Sequence, residues 1–172
     1  MAIPLMLTVY MKVAARLNPD ILTDFSDNFD VQADGRWIMS HRSLAVGNAF
    51  AHNFFVNNYG KANFCVKPAA ALAMGGHHTG ARSESPYVDW GFFTRASLHG
   101  LRIETLPMAL YKYAKRSRNS IFYSMNGQSD RYNGHAKMLA DVTELVPPPL
   151  RDIFLSCRYA LSFPKVDADG TF

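Results

Sequence analysis

The sequence contains little cysteine and no long uninterrupted hydrophobic run. Its two cysteines, Cys65 and Cys157, are too few for a disulfide-stapled secreted domain and lack the paired spacing of a zinc ribbon. The N-terminal stretch IPLMLTVYM has no basic leader and is far shorter than the ~20 apolar residues of a membrane span. We therefore expect no membrane partner, and a cytoplasmic or other reducing intracellular location.

Other absences narrow the class of protein. The chain has no internal repeat and no low-complexity block, which argues against an array architecture. Charged residues make up only 19% of the sequence and hydrophobic residues 48%, so the chain is too apolar for a disordered tail. Its 172 residues are the size of one domain, and we predict a single globular domain over residues 1–172.

The common motifs of catalysis and ion binding are also missing. The chain has no P-loop, no Gly-x-Ser-x-Gly elbow and no EF-hand spacing. His77 and His78 are adjacent, but their side chains would diverge on a regular helix or strand. We therefore expect no metal and no cofactor, and we favour a non-catalytic role over an enzymatic one.

What the chain does have is an uneven distribution of charge. The formal net charge is +4, yet residues 1–35 carry two cations and five acids, whereas residues 95–137 carry eight cations and two acids. A basic centre between acidic ends suits either an anionic partner or subunits that meet acidic end to basic centre.

The basic centre is interleaved with aromatic residues between Leu106 and Lys137. Cations neutralise phosphates, and flat rings stack on bases without reading their sequence, so this composition indicates a single-stranded nucleic-acid surface. No RNP1, KH or C2H2 motif accompanies it. The predicted phosphate contacts are Lys112, Lys115, Arg116, Arg118 and Arg131, and the predicted stacking residues are Tyr123 and Tyr132.

Hydrophobic spacing predicts an α+β fold, predominantly helical, with a small sheet that includes the N-terminal strand. The alternation in Ile3–Val13 predicts that strand. The acidic segment Asp20–Gly35 is interpreted as a loop with a short helix near Pro19, and Arg36–Ser40 as a short strand. Helices are predicted over Leu44–Asn57, with Ser43 as N-cap, and from Lys67-Pro68 to Met74. The segment Pro86–Arg95 fits a helix and a strand equally well.

The second half is predicted to hold the basic surface on a helix. Leu106, Ala109, Leu110 and Tyr113 follow helical spacing, with Lys112, Lys115 and Arg116 roughly opposite. A strand over Ser120–Met125 and a helix over Ala136–Val146 follow, with Leu139, Val142 and Val146 inward. The prolines 147–149 then begin a last helix.

Two further interpretations stay open. One is a small phosphate-handling enzyme, of nuclease or phosphotransfer type, with His41, His77 and His78 as catalytic candidates. Its glycine-flanked loop 75–83 offers anion contacts from His77, Thr79, Arg82 and Ser83. The other is a purely structural assembly protein. The favoured hypothesis is a non-catalytic subunit that binds RNA or single-stranded DNA within a homo-oligomer or nucleoprotein assembly.

Overall fold

A computed structural model describes residues 4–54, 57–76, 88–115 and 142–152. These ranges contain both helices and strands, which confirms a mixed α+β fold. The prediction that helix predominates is wrong, because a four-stranded sheet organises the described part of the chain. The elements in chain order are α1 (Met6–Leu17), β1 (Ile21–Val31), β2 (Trp37–Ser43), α2 (Phe50–Asn53), β3 (Cys65–Val66), α3 (Pro68–Ala73), α4 (Val88–Leu98) and β4 (Ile103–Lys115).

Strand β1 is the centre of the sheet. Along one edge it pairs in parallel with β4, from Ile21 opposite Ile103 to Asp30 opposite Lys115. Along its other edge it pairs antiparallel with β3 at its start and with β2 from Ser26 to Val31. The two short partners therefore share one edge of β1, and β4 occupies the whole of the other.

The starts of the two parallel strands are held together by polar contacts. The backbone N–H groups of Asp20 and Ile21 both donate to the carbonyl of Arg102, at 3.0 Å each, and the Arg102 N–H donates to Asp20 Oδ2 at 3.0 Å. Lys67 Nζ lies 3.1 Å from Asp20 Oδ1. These donors, led by the Arg102 N–H, hold the pKa of Asp20 below its ordinary value. The contacts align β4 with β1 at this end.

The first half of the sheet is covered on both faces. Leu22 packs in a cluster with Tyr10 of α1, whereas Ile21 packs in a cluster with Trp90 and Phe93 of α4. Because consecutive strand residues point to opposite faces, α1 and α4 lie on opposite sides of the sheet. Within the described ranges, no helix combines the length and the apolar character that crossing a membrane requires.

Two N-terminal predictions are wrong. The segment Ile3–Val13 was expected to be a strand, but α1 begins at Met6, and its inner face is formed by Met6, Val9, Tyr10 and Val13 at helical spacing. The acidic segment Asp20–Gly35 was expected to be a loop, but it contains β1. The strand buries the polar residues Thr23, Asp24, Ser26 and Asn28, which concealed its pattern in the sequence.

The basic helix predicted from Thr105 is also wrong, because this segment is β4. Among the described residues of Leu44–Asn57, the expected helix is limited to the four residues of α2, and Ser43 ends β2 instead of capping a helix. The predicted inward positions Val142 and Val146 are confirmed as buried, and residues 148–152 are helical. The strand predicted over Ser120–Met125 lies outside the described residues.

Other predictions are confirmed. The alanine-rich helix is α3, which Pro68 begins and Gly75 and Gly76 follow with positive φ. The Arg36–Ser40 strand is β2. The ambiguous Pro86–Arg95 segment contributes to α4, which ends where Gly100, at φ +70°, allows the Leu101 N–H to reach the Ala96 carbonyl at 2.9 Å.

Candidate nucleic-acid interface

The far end of the sheet, away from α1 and α4, exposes aromatic and cationic side chains on one face. Phe29 of β1 contacts Trp37 of β2, with ring centroids 5.8 Å apart. Lys112 of β4 places its Nζ 5.8 Å from the centroid of the Phe29 ring. Met39 is the direct cross-strand neighbour of Phe29. We refer to Phe29, Trp37, Met39 and Lys112 as the sheet platform.

An ion pair borders the platform. Arg42 of β2 is opposite Asp27 of β1, and its guanidinium donates to both carboxylate oxygens, at 2.6 and 3.1 Å. The hydrogen bond from Arg42, its charge and the charge of Lys112 hold the pKa of Asp27 below its ordinary value. Two cations and one carboxylate thus lie beside two aromatic rings.

The register of the three strands creates this arrangement. Asp27 and Phe29 are two residues apart on β1 and therefore point to the same face. Arg42 and Met39 are their neighbours on β2, and Ser40 falls between them at an irregularity in the ladder. Lys112 is the partner of Asp27 on β4. The platform is therefore assembled from three strands, and its Phe29 and Lys112 are 83 positions apart in the chain.

The platform is accessible at its β2 residues, whereas Phe29 and Lys112 are half-buried. Trp37 and Met39 are 39% and 48% exposed, and six of the seven residues of β2 are exposed. By contrast Trp90, the second tryptophan of the chain, is 5% exposed and donates its indole N–H to the carbonyl of Asn53 at 2.7 Å. A bound molecule could therefore contact Trp37 without disturbing the core.

On the other face of β4 lie Tyr111 and Tyr113. Their ring centroids are 6.5 Å apart, and Lys61 Nζ lies 5.8 Å from the centroid of the Tyr113 ring. Both tyrosines are half-buried. Because Lys112 stands between them on a regularly paired stretch of strand, it points to the opposite face. The cations and aromatics of β4 therefore divide between the two faces.

The structure places few of the binding residues predicted from sequence. Lys112 contributes to the platform, and Lys115 is the last residue of β4, but the side chain of Lys115 is outside the described part. The shared helix face expected for Lys112, Lys115 and Arg116 does not exist, because their segment is extended up to Lys115. Five further predicted residues lie outside the described ranges: Arg116, Arg118, Tyr123, Arg131 and Tyr132.

The residues of the enzymatic alternative are placed only in part. His41 is exposed on β2, and in the described part its hydrogen-bond partner is Ser40 Oγ, 3.2 Å from Nδ1. Among the described residues, no three histidine, cysteine or acidic side chains come together as a metal site. The loop residues His77, His78, Thr79, Arg82 and Ser83 lie outside the described ranges.

Asp24 is a buried carboxylate on the face of β1 that packs on α1, away from the platform, at 2% exposure. Its Oδ1 accepts hydrogen bonds from the Tyr10 hydroxyl at 2.9 Å and from Asn63 Nδ2 at 2.7 Å, and its Oδ2 accepts the Leu110 N–H at 3.0 Å. Burial raises the pKa of Asp24 above its ordinary value despite these donors. Since both oxygens are engaged, we assign Asp24 a structural role.

Sequence reasoning missed Phe29, Trp37, Met39 and Arg42 as site residues. Phe29 falls in the segment that was expected to be a loop, and Arg42 was not among the predicted binding residues. A signal was present, since the predicted strand RWIMS carries an aromatic residue among exposed positions. No family model, no curated protein and no solved structure matches this chain.

Proposed function

We propose that the protein is a non-catalytic subunit that binds single-stranded nucleic acid, RNA or DNA, on the sheet platform. The observation that carries the proposal is the Phe29–Trp37 ring pair on one face of the sheet, with Trp37 exposed, Phe29 half-buried and Lys112 beside them. Sheets that bind single strands use such rings to stack successive bases and use cations to contact phosphates.

Support also comes from the way β4 continues along the chain. β4 ends at Lys115, next to Asp30 of β1, and Arg116 and Arg118 follow directly in sequence. In this proposal Trp37 and Phe29 stack bases, and Lys112 contacts phosphate. Lys115, Arg116, Arg118 and Arg131 extend the phosphate contacts, and Tyr123 and Tyr132 provide further stacking.

The favoured ligand is a single strand because the platform is a flat, open surface. A strand element does not present the protruding helix that enters the major groove of duplex DNA. Stacking also requires bases whose faces are accessible, as in single-stranded segments. We therefore expect binding with little preference for base sequence.

Intrinsic fluorescence tests the proposal directly. Titration with a single-stranded oligonucleotide is expected to quench the emission of Trp37, because stacked bases quench tryptophan. Trp37→Phe should remove the quenching, whereas Trp90→Phe should retain it, since Trp90 is buried. Quenching that survives Trp37→Phe, or no quenching with any single strand at low salt, would refute the proposal.

Matched charge variants test the role of the cation. Lys112→Gln is expected to weaken binding and to reduce the slope of log K against log salt by about 0.7, the value for one phosphate contact on a single strand. Arg16→Gln removes an exposed charge from α1, outside the platform, and should leave the slope unchanged. If both variants reduced the salt slope equally, binding would depend on the net charge of the protein and not on a phosphate contact at Lys112.

Truncation of the Trp37 ring should weaken binding more than removal of the Lys112 charge. Trp37→Ala is expected to weaken binding by about 1–3 kcal/mol, which corresponds to roughly 5- to 150-fold in Kd. Fluorescence anisotropy with a labelled oligonucleotide measures this change, and a duplex of the same sequence serves as the competitor. A duplex that competes as well as the single strand would contradict the choice of ligand.

A further inference from the structure

Strand β2 has an edge that the described part of the protein leaves open. One edge of β2 pairs with β1 from Trp37 to Ser43, and among the described strands none pairs with the other edge. An open edge presents a row of backbone N–H and C=O groups that another extended chain can pair with. The seven residues of β2 give this edge a length of about 24 Å at ~3.4 Å per residue.

The side chains of the first three residues of this edge are apolar and exposed, whereas the four that follow are polar. Trp37, Ile38 and Met39 are 39%, 51% and 48% exposed, and they occupy both faces of the strand. Isolated sheet edges usually carry charges or proline that prevent pairing with another chain. The first three residues of β2 carry neither.

The nearby arginines do not oppose an approaching copy of the protein. Arg42 is paired with Asp27 at 2.6 Å, and Arg36 is paired with Asp34 at 2.6 Å. Each guanidinium therefore has its own carboxylate within the same subunit, and two such edges can approach without strong mutual repulsion.

We propose that the occupant of this edge is a second copy of the same chain, paired antiparallel through β2 with a twofold axis at Ile38. The apolar triplet is self-complementary about that axis. Trp37 of one copy is opposite Met39 of the other, and the two Ile38 residues face each other. Directly opposite residues of antiparallel strands lie on the same face and pack together. An isologous contact of this kind closes as a dimer.

The pairing would join two sheets into one. The order of strands across the join is β4, β1, β2, then β2, β1, β4 of the second copy. On one face the two sheet platforms become neighbours. The two cross-strand pairs between them each consist of Trp37 from one copy and Met39 from the other. The dimer does not depend on the nucleic-acid proposal, because it is driven by edge pairing and apolar contact.

Light scattering coupled to size exclusion tests the dimer on nuclease-treated, full-length protein. The expected result is a dimer that dissociates on dilution. Ile38→Lys would place two ammonium groups opposite each other at the axis, and we expect it to weaken dimerisation at least tenfold. The control is Met11→Lys on α1, an exposed apolar residue at 72%, which should leave the dimer intact.

Three outcomes would overturn the proposal: a wild-type monomer at high concentration, an Ile38→Lys dimer of unchanged strength, or loss of the dimer in Met11→Lys. Circular dichroism and the emission of buried Trp90 confirm that each variant is folded. A second measurement uses Ile38→Cys, which should form an intermolecular disulfide on oxidation, located by peptide mass mapping. If Met11→Cys crosslinks as readily as Ile38→Cys, the axis is not at β2.

Discussion

Asp24 connects three parts of the fold through a single carboxylate. It receives hydrogen bonds from α1 through Tyr10, from the loop before β3 through Asn63 and from β4 through the Leu110 N–H. The Leu110 contact matters because β4 is irregular there, and this N–H donates to a side chain where a regular strand would use a backbone carbonyl.

Asp24→Asn should therefore destabilise the protein. The amide nitrogen would replace one acceptor oxygen and leave a buried donor without an acceptor, which costs about 1–3 kcal/mol. Urea unfolding measures the change in the free energy of unfolding. Asp30→Asn, at an exposed position on the same strand, is the control and should change stability by less than about 0.5 kcal/mol. Equal effects of the two substitutions would contradict the structural role of Asp24.

The same residue gives a dependence on pH with a definite sign. Burial raises the pKa of Asp24 in the folded state, so the folded protein holds this proton more tightly than the unfolded chain. Its contribution to stability is complete below the unfolded pKa of about 4 and is lost as pH rises through the raised folded pKa. The stability difference between wild type and Asp24→Asn should accordingly shrink between acid and neutral pH. A stability difference that grows from acid to neutral pH would mean that folding lowers the pKa of Asp24 instead of raising it.

At the scale of elements, α1 and β4 explain why sequence reasoning succeeded only in part. Nearly every residue of Ile3–Val13 is apolar, so the segment satisfies a period of two as well as a period of 3.6. The helix selects Met6, Val9, Tyr10 and Val13 as its inner face. Neither period could be preferred without knowing that a sheet, with Leu22 and Leu110, lies beneath.

Strand β4 was mistaken for a helix because of its irregular pairing. Leu106, Ala109 and Tyr111 pair with three consecutive residues of β1. Pro107 and Met108, and then Leu110, therefore have no partner in this register. Leu106 and Leu110 therefore reach the same cluster although they are four residues apart, the spacing of a helix. Pro107 is tolerated at the irregularity because no ladder hydrogen bond is needed from it. By contrast α3 was predictable, because Pro68 favours a helix start and the Gly75-Gly76 pair favours a helix end whatever the rest of the fold.

Alanine substitutions in α1 distinguish its two possible periods. In a strand Met11 and Val13 would share a face, but in the helix Val13 packs on the sheet and Met11 is 72% exposed. We expect Val13→Ala to reduce the free energy of unfolding by about 1–2 kcal/mol and Met11→Ala by less than about 0.5 kcal/mol. Thermal unfolding in parallel measures both. Similar losses would argue for the strand.

The candidate site could be predicted even less than the fold. Phe29, Trp37 and Lys112 come from three strands, and only tertiary pairing brings them together. Composition predicted a basic aromatic surface, but the helix predicted for its first part is strand β4, and the partners of Lys112 were missed. Burial of polar residues on β1 concealed the strand that carries Phe29.

At the scale of the whole molecule, the charge distribution predicts what the protein retains on purification. Eight cations against two acids in residues 95–137 should hold nucleic acid at low salt and release it at high salt. The ratio of absorbance at 260 nm to that at 280 nm should therefore be elevated after a low-salt preparation and fall to that of protein after a high-salt wash. A preparation free of nucleic acid at low salt would count against the proposed function.

The parallel pairing of β1 with β4 also determines the order in which this protein can form. The bond between the Thr23 and Thr105 hydroxyls closes a loop of 82 residues, whereas β2 follows β1 after a short turn. Such a high contact order predicts slow folding. During synthesis the β1–β2 hairpin emerges long before β4, so the edge of β1 that pairs with β4 lacks this partner until β4 has been translated. Between the translation of Ser43 and that of Lys115, this edge of β1 can pair with the wrong strand or with another chain.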